Sequence, residues 1–70
     1  MTTIARYYEI RKQADSVREI MTNDCHVFPG SNDGYFIQAF GIQYRFASIE
    51  DPKVIAKLFK EIVSFGPIEC

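Results

Sequence analysis

Cys25 and His26, adjacent in "CHVF", are the residue types with the most chemistry to offer. A thiol and an imidazole act as nucleophile and base, or as two metal ligands, when both side chains converge on one point. The period-two pattern of residues 25–28 predicts a short strand, and successive strand residues point to opposite faces. On such a strand the two side chains diverge, and no other Cys or His lies within ligand spacing. The carboxylates Glu9, Asp15, Glu19, Glu50, Asp51, Glu61 and Glu69 are scattered, with no pair marked out as an acid/base couple. "PGSNDG", residues 29–34, has neither the glycine spacing nor the Lys-Ser/Thr of a phosphate loop. The expectation is a protein that is not an enzyme, with no catalytic, cofactor or metal site.

Two other groups fit binding better. Lys53, Lys57 and Lys60 recur at helical spacing and form either the solvated side of an amphipathic helix or a phosphate-contacting stripe. The second group is His26, Phe28, Phe36, Gln38, Phe40, Gln43 and Arg45. Aromatic residues and Arg are enriched at protein interfaces, and aromatic rings also stack on bases. These seven are the candidate partner-binding residues, and the three lysines are the nucleic-acid alternative.

Both groups need elements to hold them. Residues 2–22 read as a helix, with Tyr7, Ile10, Ala14, Val17 and Met21 on one stripe and an Arg11–Asp15 pair on the surface. Thr2 or Thr3 caps its start, and "TND" at 22–24 stops it. Pro29 either ends the strand 25–28 or marks it as an edge strand, and residues 29–34 form an exposed loop. "GYFIQAFGIQYRFAS" then reads as a hairpin turning at Phe40-Gly41. That register sets Ala39 across from Ile42, Ile37 from Tyr44 and Tyr35 from Phe46 on an apolar side, and Phe36 from Arg45 and Gln38 from Gln43 on the other. One continuous strand is the alternative, but it would overhang its short neighbour. The hairpin's weak point is Phe40, where tight turns prefer Asn, Asp or Gly; a type I turn with Gly41 in a bulge relieves it. Residues 48–67 read as a second helix, capped by Ser48 or Asp51, with Pro52 in its first turn and Gly66-Pro67 closing it. Val54, Ile55, Leu58, Phe59, Ile62 and Phe65 supply its apolar side.

The chain has 70 residues, 47% hydrophobic and 14% aromatic, with a net charge of −1. That composition is far from a disordered segment, and it lacks the basic excess of a general phosphate-binding surface. Two cysteines are too few for a disulfide-framed secreted mini-protein, and "MTTIARYYEIRKQADS" carries charges where a signal peptide has its apolar run. No apolar run approaches a membrane span. A cytoplasmic protein with reduced thiols is expected, a Cys25–Cys70 bridge being the less favoured state.

The expected fold is α+β: a single small domain over residues 1–70, ordered α-β-β-β-α, a three-stranded antiparallel meander with two helices packed on one face. Its core draws on Ile10, Val17, Val27, Ile37, Tyr44, Phe46, Leu58 and Ile62. The α-β-β-β-α order resembles that of double-stranded-RNA-binding domains, and the likeness implies nucleic-acid binding through Lys53, Lys57 and Lys60. The residues favour a small protein that binds another protein; its small size, rather than any residue, suggests an inhibitor or accessory factor of phage or mobile-element type. Self-association as a homodimer is expected too, because a thin core leaves one sheet face uncovered.

Overall fold

The computed structural model describes residues 3–22, 24–30, 34–47, 49 and 51–67. Helix α1 spans Thr3–Gln13 and strand β1 spans Ser16–Glu19. Strands β2 (His26–Pro29), β3 (Tyr35–Ala39) and β4 (Ile42–Phe46) follow, and helix α2 (Pro52–Phe65) comes last. The order is therefore α-β-β-β-β-α. The strands form one antiparallel sheet in the order β1-β4-β3-β2.

Three expectations about the first third of the chain are corrected. The helix stops at Gln13 instead of Thr22, the sheet has four strands instead of three, and the double-stranded-RNA-binding order is lost with them. Asp15 and Ser16 compete with helical hydrogen bonding through their own side chains, so the helix is weakest there. Residues 16–19 instead pair with β4, which would otherwise be an open edge. The Asp15 N–H donates to the Arg45 carbonyl at 2.6 Å, and the Ile20 N–H donates to the Gly41 carbonyl at 2.7 Å. The Asp15 carboxylate accepts from the Ala47 N–H at 3.0 Å, a contact that takes the place of the expected helical pair with Arg11. Val17 reaches the core side from a strand, opposite Tyr44, as it would have from a helix. Met21, one step further along the supposed stripe, is fully exposed.

β2 is shifted by one residue from its expected place, leaving Cys25 just outside it and taking in Pro29. The Gly30 N–H donates to the Gly34 carbonyl at 3.0 Å. Ladder bonds alternate along a strand, so Phe28 and Gly30 face β3 and the Pro29 nitrogen faces away from it. Proline costs no ladder bond there and removes a donor from an open edge.

The β3–β4 hairpin has the expected register, from Tyr35 opposite Phe46 to Ala39 opposite Ile42. Its turn differs from the bulged type I form: Phe40 and Gly41 both have positive φ, 53° and 80°. Those are the signs of the mirror-image turn whose twist matches that of paired strands. Phe40 tolerates this backbone while its ring packs against the core.

α2 follows its capping signals, but Val54, expected on its apolar side, is exposed. Asp51 is the N-cap and accepts from the Lys53 N–H at 2.9 Å, Pro52 opens the first turn, and Gly66, at φ 73°, closes the last. Ser48, the other candidate cap, lies outside the described residues, as do Thr2, Asn23 and Cys70.

One buried cluster unites Tyr7 and Ile10 of α1, Ile55, Leu58 and Ile62 of α2, and Ile37, Ala39, Tyr44 and Phe46 of the sheet. By register, the four sheet residues share one face. Val17 and Val27, expected in the core, are partly buried at its margin. Across the helices, Arg6 forks onto Glu61, with Nη2 to Oε2 at 2.9 Å and Nε to Oε1 at 3.3 Å. The chain's shortest dimension is 17 Å. That is room for one sheet and one helix layer, at about 10 Å between layers plus the width of a helix backbone.

Candidate functional site

The sheet face away from this cluster is the candidate interface. Cross-strand register places its residues in two rows. One runs Ser16–Arg45–Phe36–Phe28, and the other runs Arg18–Gln43–Gln38–His26. Each row follows from period-two alternation: once Val17, Tyr44, Ile37 and Val27 turn to the helices, their neighbours must turn away.

The aromatic residues gather at the β3/β2 end. The Phe28 and Phe36 rings stack with centroids 5.3 Å apart and planes 19° from parallel. The His26 ring lies 5.0 Å from that of Phe28, tilted by 35°. Phe36 also reaches over Gly30, where a side chain's first carbon would come within 2.6 Å of the ring. Phe28 and Phe36 are half-buried, yet neither belongs to the helix-side cluster nor to the residues packed against it. They form a separate apolar ridge.

The cationic residues lie at the β4/β1 end. Arg45 is partly buried and Arg18 is exposed. None of the residues in the two rows is acidic. The ion pairs among the described residues join Arg6 to Glu9 and to Glu61, in the helix layer. Gln38 is buried near the middle of the face at 7% exposure. Among the described residues, no buried side-chain polar atom lacks a hydrogen-bond partner.

Of the seven expected partner-binding residues, His26, Phe28, Phe36, Gln38, Gln43 and Arg45 share this face. Phe40 does not: it sits in the turn and packs against the core. Sequence reasoning also missed Arg18 and Ser16, which reach the face only because β1 is a strand. Both fell within the helix expected over residues 2–22, and no short-range signal moved them to a strand.

The remaining candidates lie elsewhere. Lys53, Lys57 and Lys60 are all exposed on α2. Cys25 is exposed, and its supposed bridge partner Cys70 is outside the described residues. Among the described residues, no group of three or more His, Cys, Asp or Glu is placed to hold a metal ion. No helix of the described residues is long and apolar enough to cross a membrane.

Compared with known proteins, the chain matches no family model, no curated protein and no solved structure.

Proposed function

We propose that this is a small non-enzymatic binding protein whose open sheet face contacts another protein. In this reading it is a cytoplasmic inhibitor or accessory factor of the kind that phages and mobile elements encode. The observation that carries the proposal is the Phe28–Phe36 ridge. Two half-buried rings stack on each other outside the core, beside Arg45 and two glutamines. Apolar surface of this kind, flanked by Arg and amides, has the composition of interface anchors. The homodimer expected from the thin core is proposed separately, and it does not require this face. Light scattering at micromolar concentration tests it: a mass above 8.1 kDa supports self-association, and a monomer contradicts it.

Nucleic-acid binding is the second reading, resting on the exposed lysines of α2 and on the aromatic face. The charge favours it less: a phosphate-contacting surface calls for a basic excess, and the chain has a net charge of −1.

The experiment is alanine substitution of Phe36 and of Arg45, read by thermal midpoint and by capture of a partner from extract of the source cell. Lost capture with a retained midpoint supports the proposal. Unchanged capture contradicts it.

A further inference from the structure

The proposed protein-binding face is electrostatically lopsided. Arg18 and Arg45 stand on it through adjacent strands β1 and β4, with Gln43 opposite Arg18 and Phe36 opposite Arg45. Its two rows contain no carboxylate. Asp15, next to this end of the sheet, already accepts from the Ala47 N–H, and Glu19 belongs to the helix side through its pairing with Ile42. The chain as a whole has a charge of −1, so the face is more cationic than the chain average.

We infer that this face takes an acidic segment of another protein: a carboxylate meets Arg45 and Arg18 while an apolar side chain beside it meets the Phe28–Phe36 ridge. Arginine's planar fork suits carboxylates, and complementary charge sets orientation and partner choice at an interface. A second copy of the chain is a poor occupant, because it brings arginines and no carboxylate of its own face. Self-association, where it occurs, therefore uses another surface. The inference rests on the protein-binding reading and adds the chemistry of the partner.

The test uses the full chain and three soluble synthetic peptides of equal length built on Leu and Ser, with Glu, Gln or Lys at the remaining positions, together with an oligothymidylate. Affinities come from fluorescence titration and the contact surface from amide chemical shifts. The Glu peptide is expected to bind roughly tenfold or more tighter than the Gln peptide, with shifts at Phe28, Phe36 and Arg45. Arg45→Glu should reverse the preference toward the Lys peptide, whereas Arg45→Lys should keep it. A merely structural role for Arg45 would produce no such reversal. Equal affinity for the Glu and Gln peptides on this face overturns the inference and leaves the protein-binding reading standing. Shifts confined to α2, or oligothymidylate occupying the face, overturn both. Failure of every peptide to bind overturns the inference as well.

Discussion

The hydroxyl of Tyr44 donates to the hydroxyl of Tyr7 at 3.0 Å, in the buried interior between β4 and α1. Both residues are nearly inaccessible to water, and burial holds the Tyr44 hydroxyl protonated far above its ordinary range. The pair is the polar pin of an otherwise apolar cluster. Removing one partner strands the other, so Tyr7→Phe or Tyr44→Phe should each cost about 1–3 kcal/mol. Removing both should cost less than the sum of the two, since no buried hydroxyl is then left unpaired. Urea denaturation of the single and double variants measures this coupling. Simple additivity would contradict the pairing.

Gly41, at φ 80°, holds a backbone conformation that side chains resist. Gly41→Val should destabilise by about 1–3 kcal/mol. A neutral or stabilised valine variant would argue for a straight strand. Phe40 shares the positive-φ backbone but gains ring packing. Phe40→Ala and Phe40→Asn both lose the ring, yet Asn accepts this backbone more readily than Ala. Phe40→Asn should therefore be the more stable of the two by about 0.5–1 kcal/mol. The reverse order in thermal melts would deny the turn.

Where local signals agree, the sequence is legible. Asp51, Pro52 and Gly66 mark α2, and the hairpin register follows from alternation around Phe40-Gly41. Where two periods agree with one residue, it is not. Ala14 and Val17 satisfy a helical stripe, and Val17 equally satisfies a strand facing Tyr44. The choice is made by β4, whose free edge gains a partner, and that is long-range information absent from residues 14–22. The candidate face inherits this split. Its β2, β3 and β4 members were readable by alternation, but Arg18 and Ser16 became visible only with β1.

The fork between Arg6 and Glu61 gives the fold a pH dependence. Hydrogen bonding to the guanidinium holds the Glu61 carboxyl below its ordinary value of 4.5. A depressed carboxyl stabilises the folded state above the unfolded pKa, and that contribution fades as pH falls through the lowered folded value. Melting temperature should therefore drop on acidification below about pH 4.5, in the acid range alone for this pair. Glu61→Gln should flatten that limb while leaving the shape of the curve near neutrality unchanged. An acid limb as steep in the variant as in the parent would assign the dependence to other groups.

The open sheet face is tested most directly by quantitative capture from source-cell extract at a temperature well below the melting midpoint. The parent chain is compared with Phe36→Ala, Arg45→Ala and the double variant Lys53→Glu/Lys57→Glu, and the retained proteins are measured by mass spectrometry. Phe36→Ala and Arg45→Ala should each weaken retention of the partner by about 1–3 kcal/mol, as anchor residues do, while the lysine variant retains it. Full retention by the Phe36 and Arg45 variants, with loss only in the lysine variant, would contradict the assignment and place binding on α2.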